Sequence, residues 1–216
     1  ERIPAFDELD CLSEWNTPWG GPPAVRSLAR STDGWIYADI HVGSIMRSPD
    51  GGVSWEPVTP DLNRDVHQVA ASPAAAARVV ANTAQAVYVS DDHGDTWDYR
   101  GEPLDGRYGR AAACHPHNIG RMLATVSDGP HGDDVQAGLY WTHDDGRTWA
   151  PAGGEFPAAV PDNINTFHIA YAANATAWAV VDDGLYRSVD GGITWNRVWF
   201  APEEIRMISC HLPPSA

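Results

Sequence analysis

The sequence predicts an all-β chain built from repeated four-stranded sheets, and three observations support this. One eight-residue pattern, S/T-x-D-x-G-x-S/T-W, occurs at residues 48–55, 90–97, 142–149 and 188–195. Its copies begin 42, 52 and 46 residues apart, a spacing that suits one four-stranded unit per repeat. Twenty Gly and 17 Pro without a long apolar run indicate short strands and many turns. We therefore predict a five-bladed β-propeller in a single domain, residues 1–216.

Each copy of the pattern has the chemistry of a tight turn and not of a catalytic centre. The Asp carboxylate can cap backbone N–H groups, the Gly two residues later accepts a positive φ, and the Trp anchors the next strand. We expect these Trp side chains to pack between blades: Trp55, Trp97, Trp149 and Trp195.

The repeats resemble the Asp-box, or BNR-repeat, family of β-propellers, which includes sialidases, some endoglucanases and non-catalytic members. The resemblance covers roughly residues 24–200. It implies that the pattern lies between the third and fourth strands of a blade, opposite the usual ligand site, and that the protein is secreted or extracellular. Arg2-Ile3-Pro4 also matches a sialidase tripeptide. The strand that the family places next does not follow, so we interpret this match as coincidence or an N-terminal tail.

Four segments have the composition of blades, namely residues 24–60, 66–102, 109–155 and 164–200. In each, an apolar inner strand is followed by a second strand, a third strand ending in the pattern, and a fourth strand after the Trp. The expected strands are Ala24–Ala29, Trp35–Ile40, Ser44–Ser48 and Ser54–Val58; Val66–Ala71, Arg78–Thr83, Ala86–Ser90 and Thr96–Arg100; Gly109–Cys114, Arg121–Val126, Gly138–Thr142 and Thr148–Pro151; and Phe167–Ala172, Ala177–Val181, Gly184–Ser188 and Thr194–Trp199.

A fifth blade is predicted from the two ends of the chain. Residues 201–216 supply an inner strand, Ile205–Cys210, and residues 1–23 supply strands that complete the same blade. Such closure leaves no free edge between the first and last blades. It should bring Cys11 near Cys210, either as a disulfide or as two buried thiols.

The composition limits the partners. The net charge is −15 and all 14 basic residues are Arg, which disfavours nucleic acid and anionic membranes as partners. The three cysteines show no zinc spacing. The pair His115 and His117 falls in a turn sequence after an inner strand. We therefore expect no metal site and no cofactor.

The five inner strands place a basic residue at the same register, and these residues are expected to ring the mouth of the central channel: Arg26, His67, Arg110, His168 and Arg206. A converging set of guanidinium and imidazole groups requires a compensating anion. One hypothesis is a site for a small anionic molecule or glycan. The other is that these residues pair with Asp39, Asp65 or Asp182 and only seal the channel.

Candidates for acid, base or nucleophile are expected on the same face, which also carries an insertion at residues 127–137. They are Asp39, Asp128, Asp182, Glu102 and Tyr108. None stands in a diagnostic motif. The first hypothesis is therefore binding of a carboxylate or sugar acid, the second a glycoside hydrolase or lyase acting on an anionic glycan, and the third a protein-interaction scaffold.

Overall fold

A computed structural model describes residues 3–105 and 107–210, which form four antiparallel sheets in sequence order. Each sheet is a propeller blade whose first strand lies beside the first strand of the next blade. Helical structure in the described residues is confined to α1 (Pro4–Asp7) and two 3₁₀ turns at Asp10–Glu14 and Glu102–Leu104. None of these helices is long and apolar enough to cross a membrane.

The strand bounds are as follows. Blade one contains β1 (Val25–Arg30), β2 (Ile36–Ile40), β3 (Ser44–Ser48) and β4 (Glu56–Pro57), and blade two contains β5 (Val66–Ala71), β6 (Val79–Thr83), β7 (Ala86–Ser90) and β8 (Asp98–Tyr99). Blade three contains β9 (Tyr108–Cys114), β10 (Met122–Ser127), β11 (Gly138–Thr142) and β12 (Ala150–Pro151). Blade four contains β14 (Ile169–Tyr171), β15 (Ala177–Val181), β16 (Gly184–Ser188) and β17 (Thr194–Phe200), with β13 (Gly153–Gly154) pairing in parallel to the outer edge of β17.

The predicted inner, second and third strands of these blades are confirmed to within two residues. The fourth strands of blades one to three are shorter than predicted, with two residues each. The reason lies in the turn. The Asp50 carboxylate accepts hydrogen bonds from the amides of Val53 and Ser54 at 3.0 and 2.8 Å, so these amides are not available to pair with β3.

The Asp-box turns are confirmed in atomic detail. In blade three, Thr142 Oγ1 donates to Asp144 Oδ1 at 2.8 Å and accepts from the Gly146 amide at 3.0 Å. Asp144 also accepts from the amide and hydroxyl of Thr148, at 2.9 and 2.7 Å. These bonds hold the pKa of Asp144 at about 2, although partial burial acts to raise it. We name the surface that carries the four boxes the box face.

The core lies in three clusters, one at each interface between consecutive blades. Trp97, Trp149 and Trp195 pack at the first, second and third interface, as predicted. Trp55 instead lies against Phe6 of the N-terminal segment, with ring centroids 5.0 Å apart. This difference arises because blade one has no preceding blade in the described residues.

Two expectations about the chain ends were wrong. Described residues of the segment 1–23 form α1 and a 3₁₀ turn and pack on blade one, and they contain no strand. Ile205–Cys210 also forms no strand, although its backbone runs beside blade four, where the amides of Ile205 and Ile208 donate to Asp182 O and Phe167 O at 2.8 and 2.9 Å. Proline and the charged pair Glu203-Glu204 precede this segment, and no second strand follows it in the described residues to complete a sheet.

No disulfide joins Cys11 to Cys210. The Cys11 thiol lies 3.8 Å from the sulfur of Met46 in blade one, whereas Cys210 follows the segment that borders blade four. Both thiols are free, as is the buried Cys114.

Candidate functional site

The inner strands of blades one to three share a β-bulge, and in each of these blades a basic residue lies in the bulge. The pairing register shifts between Val25 and Ser27 in β1 and between Val66 and Gln68 in β5. In β9 it shifts at the residues that lie opposite Thr125 of β10. The bulge residues are Arg26, His67 and Arg110. A bulge turns one extra side chain out of the alternating pattern. We name the surface opposite the box face, where these three residues lie, the axis face. It also carries the loops at residues 41–43, 58–65, 128–137 and 155–166.

His67 is fully buried and makes contacts with both neighbouring blades. Its Nδ1 donates to the carbonyl of Gly109 at 2.5 Å, and in the neutral ring Nε2 accepts from the Tyr108 hydroxyl at 2.9 Å. Asp65 Oδ1 lies 3.2 Å from the same Nε2. Burial lowers the pKa of His67, with Arg26 acting in the same direction and Asp65 opposing.

A second imidazole, that of His41, also lies close to Asp65, and the sequence analysis did not identify it. His41 Nε2 lies 3.4 Å from Asp65 Oδ1, and that oxygen is buried without a hydrogen-bond partner. Burial acts to raise the pKa of Asp65, but His67, His41 and Arg26 together hold it below its ordinary value. His41, Asp65 and His67 form the one group in the described residues whose ligand atoms could hold a metal ion.

Arg26 and Arg110 lie near this group but take no carboxylate partner within 4.0 Å among the described residues. Arg26 Nη1 and Arg110 Nε are buried without a hydrogen-bond partner. Arg110 Nη2 donates to Pro130 O at 2.8 Å, and its guanidinium lies 4.9 Å from the centroid of the Tyr108 ring. Burial lowers the pKa of Arg110, and Arg26 adds to that effect.

These side chains open on a cleft of about 710 Å³ on the axis face. Its lining combines polar groups with an aromatic wall and includes Arg26, His41, Asp65, Tyr108, Arg110 and Trp19. Trp19 is 72% exposed and its ring centroid lies 4.8 Å from that of His41. The cleft therefore offers cationic donors beside a solvent-facing aromatic ring.

A second cleft, of about 380 Å³, lies between blades three and four. Arg110, Pro130 and His131 line both clefts, so the insertion of blade three separates them. Asp182 and Glu204 line the second cleft together with His168. His168 Nε2 donates to Arg206 O at 3.0 Å.

The predicted five-residue ring is thus divided in the structure. Arg26, His67 and Arg110 lie together, whereas His168 lines the second cleft. The Arg206 side chain is exposed and only its backbone carbonyl contacts His168. Asp65, one of the acids that the sequence analysis named as alternative neighbours of the ring, lies 3.2 Å from His67 Nε2.

Among the acid and base candidates, Asp39 is fully buried and has a structural role. It accepts a hydrogen bond from the Ser27 hydroxyl, whose oxygen accepts from the Val69 amide of blade two at 2.9 Å. Asn82 and Thr125 occupy the equivalent position of β6 and β10 and also bond to the next blade. Burial raises the pKa of Asp39 to about 7. Asp39 therefore links blades and is not accessible to a ligand.

The remaining candidates are dispersed. The Asp128 side chain is 62% exposed and pairs with Arg107 at 3.1 Å, and Glu102 is exposed in a 3₁₀ turn. Only Tyr108 contacts the basic group, through His67. His117 Nε2 contacts the carbonyl of Ala173 at 2.6 Å. It therefore makes a backbone contact at that turn.

Two features of the cleft escaped the sequence analysis, and both carried a weak signal. His41 directly follows the predicted second strand of blade one, on the axis face. Trp19 precedes the Gly-Gly-Pro-Pro run in a segment interpreted as strands. An aromatic residue outside the repeats could have suggested a ligand contact.

Three solved structures similar to this chain share low sequence identity with it. An ancestral GH74 enzyme superposes with a TM-score of 0.66 and 16% identity over 81% of this chain and 24% of its own. The GH74 xyloglucanase from Xanthomonas campestris gives 0.61 and 20% over 82% and 30%. YCF48 bound to D1 peptide gives 0.51 and 16% over 82% and 53%. This chain thus spans about a quarter to a half of these proteins, and the likeness establishes the fold.

Sequence comparisons give the family. No curated protein sequence matches the chain significantly. The BNR/Asp-box repeat profile matches residues 186–197, around the fourth box. The Sortilin-Vps10 profile, described as sortilin, neurotensin receptor 3, matches residues 43–156, which is more than half of the chain. The four boxes, the blades and this match together show that the chain is an Asp-box β-propeller and belongs to the Sortilin-Vps10 family.

Proposed function

We propose that the larger cleft binds a small anionic ligand, a carboxylate or sugar acid, between Arg26 and Arg110. The observation that carries the proposal is the pair of buried donors, Arg26 Nη1 and Arg110 Nε, that have no partner among the described residues. A buried guanidinium N–H left without a partner costs free energy, and a carboxylate would satisfy it with a charge-assisted hydrogen bond.

The wall of the cleft supports a sugar ring as the carrier of that carboxylate. Trp19 is 72% exposed at the rim. A large exposed aromatic side chain beside polar donors is typical of a binding surface. Tyr108 also lines the cleft, with the Arg110 guanidinium over its ring. Glucuronate therefore represents the expected ligand class better than acetate or glucose.

The test is titration calorimetry of the protein with glucuronate, glucose and acetate. We expect glucuronate to bind more tightly than acetate, because of the sugar ring, and glucose to bind negligibly. Arg110→Ala should weaken glucuronate binding by about tenfold to a hundredfold, since a hydrogen bond to a charged group contributes about 1.5–3 kcal/mol. Arg187→Ala removes an exposed guanidinium outside both clefts and is the charge-matched control. Absence of glucuronate binding, or equal loss in both variants, would contradict the proposal.

A hydrolase is the second candidate, and the observation that favours it is the acidic lining of the second cleft. Asp162, Asp182 and Glu204 all face that cleft, and glycoside hydrolysis uses a pair of carboxyl groups. Release of reducing sugar from an acidic polysaccharide, abolished by Glu204→Gln, would support hydrolysis. Turnover that persists in both Glu204→Gln and Asp182→Asn would exclude this cleft.

We also propose that Ile205–Cys210 marks the position of a fifth blade. The hydrogen bonds from the Ile205 and Ile208 amides to blade four support this. Slow hydrogen exchange at these two amides is expected, and exchange at the rate of an unstructured peptide would contradict the proposal.

A further inference from the structure

We propose that His41, Asp65 and His67 form a binding site for one divalent transition-metal ion, such as Zn²⁺, at the interface of blades one and two. The three residues come from different parts of the fold. His41 follows β2, Asp65 lies in the loop between the blades, and His67 is the bulge residue of β5. The site goes beyond the proposed anion binding, because the metal ligands and the arginines are separate side chains.

The separations of Asp65 Oδ1 from the two imidazole nitrogens fit a tetrahedral ion. Asp65 Oδ1 lies 3.4 Å from His41 Nε2 and 3.2 Å from His67 Nε2, and all three atoms lie within 4.8 Å of one another. Two ligands about 2.0–2.1 Å from a tetrahedral Zn²⁺ are separated by about 3.3 Å. Two imidazole nitrogens and one carboxylate also match the donor set of known metal sites with an open position.

The orientation of His67 is already that of a metal ligand. Its Nδ1 donates to the Gly109 carbonyl at 2.5 Å, and a carbonyl can only accept, so the proton of the neutral ring lies on Nδ1. Nε2 then carries the lone pair and lies 3.2 Å from Asp65 Oδ1. A backbone carbonyl that fixes the tautomer in this way is a frequent companion of a ligating histidine.

Asp65 supplies a second, independent indication. Its Oδ1 is buried, lies between the two Nε2 atoms, and has no hydrogen-bond partner. A buried carboxylate oxygen without a donor is costly. A metal ion would compensate this oxygen and both imidazole lone pairs at once.

Two neighbouring side chains, Tyr108 and Arg26, disfavour metal binding at this site. The Tyr108 hydroxyl lies 2.9 Å from His67 Nε2 and occupies its lone pair, so it must turn away when a metal binds. Arg26 lies close enough to affect both histidines electrostatically and repels a cation. Tyr108→Phe and Arg26→Gln are therefore expected to strengthen metal binding, which few other changes in a binding cleft would do.

The experiment is titration of the untagged protein with Zn²⁺, combined with the absorption spectrum of the Co²⁺ form. We expect one equivalent to bind in the wild type. Asp65→Asn keeps the shape of the side chain and should weaken Zn²⁺ binding by more than about tenfold, as should His41→Ala. His117→Ala removes a histidine remote from the cleft and is the matched control, with no change expected.

Folding of each variant is checked by circular dichroism and by its thermal transition. His41 lies in the turn after β2 and lines the cleft, so His41→Ala provides a second test if Asp65→Asn fails to fold. Failure of the wild type to bind one equivalent, or equal affinity in the wild type, Asp65→Asn and His41→Ala, would overturn the site. If the variants lose metal binding but keep glucuronate binding, the proposed anion site stands without the metal site. If metal binding persists while glucuronate binding is absent, the metal site stands without the anion site.

Discussion

The box face and the axis face of this propeller differ in how their arginines are compensated. On the box face, the Arg78 guanidinium contacts Asp91 at 2.7 Å and Asp145 at 2.5 Å, and thereby joins the second and third boxes. Arg47 similarly contacts Asp95 at 2.7 Å. On the axis face, Arg26 and Arg110 each retain a buried donor without a partner. Arg78 and Arg47 on the box face thus have carboxylate partners, whereas Arg26 and Arg110 on the axis face have none among the described residues.

The carboxylates show the same contrast. Each box Asp is satisfied by its own turn, and these bonds hold the pKa of Asp50 at about 2. On the axis side, Asp39 Oδ2 and Asp65 Oδ1 are buried without a partner, and burial raises the pKa of Asp39 to about 7. Unsatisfied buried groups reduce stability and are found where function requires them. The box carboxylates therefore stabilise their own turns, whereas these partnerless carboxylate oxygens lie on the side where we propose binding.

The largest effect on stability is expected for Arg78→Ala on the box face. The Arg78 side chain is 6% exposed and has two carboxylate partners, of which Asp91 is 61% exposed and Asp145 26% exposed. After allowance for solvent screening, we expect a loss of about 2–4 kcal/mol in the free energy of unfolding, measured with urea.

Arg147→Ala is the matched control for that change. Arg147 also contacts Asp145, at 3.0 Å, but its side chain is 63% exposed. The expected loss is below about 1 kcal/mol. Equal losses for Arg78→Ala and Arg147→Ala would contradict the distinction between buried and exposed pairs on this face.

A smaller change of opposite sign is expected for Asp39→Asn. The pKa of Asp39 is raised to about 7 in the fold, so the folded protein holds this proton more tightly than the unfolded chain does. The resulting gain in the free energy of unfolding is complete below the unfolded pKa of about 4 and is lost as the pH rises toward 7. Asn removes the charge and should stabilise the protein at pH 8 by about 1–3 kcal/mol.

Blade two provides the reciprocal experiment. Asn82 occupies the position equivalent to Asp39, where its amide donates to Ala111 O at 2.7 Å. Asn82→Asp should destabilise the fold increasingly above pH 4. Urea unfolding at pH 4 to 8 measures how the free energy of unfolding of each variant changes with pH. If the wild-type free energy of unfolding rises over this range and Asp39→Asn does not change that slope, Asp39 is ionised in the fold.

The smallest effect is expected for one box carboxylate. Asp144→Ala removes a cap that accepts from the Thr148 amide and should cost about 0.5–1 kcal/mol at pH 7, a value reduced for its exposure. Because its pKa is lowered to about 2, this contribution is present above about pH 4 and disappears as the pH falls through 2. Asp133→Ala, in the exposed insertion, is the control. A cost that is the same at pH 7 and pH 2 would indicate that lost packing and not the carboxylate is responsible.

The sequence by itself determined the repeated blades and the box face, because both depend on local chemistry. A box needs only residues within eight positions: in the first, Ser48, Asp50 and Ser54 bond to one another and to adjacent amides. Such contacts recur at a fixed spacing and can be identified by inspection. The shared position of Arg26, His67 and Arg110 on the inner strands of blades one to three was likewise visible, since it repeats with those blades.

Only the tertiary structure decided what the axis face contains. The bulges that turn Arg26, His67 and Arg110 inward form between strands, and His41 meets Asp65 across a blade interface. The ends of the chain were misjudged for the same reason. Whether an apolar segment becomes a strand depends on a partner strand. Ile205–Cys210 donates two backbone hydrogen bonds to blade four but forms no strand in the described residues. Long-range pairing and burial, which have no fixed spacing in the sequence, set these outcomes.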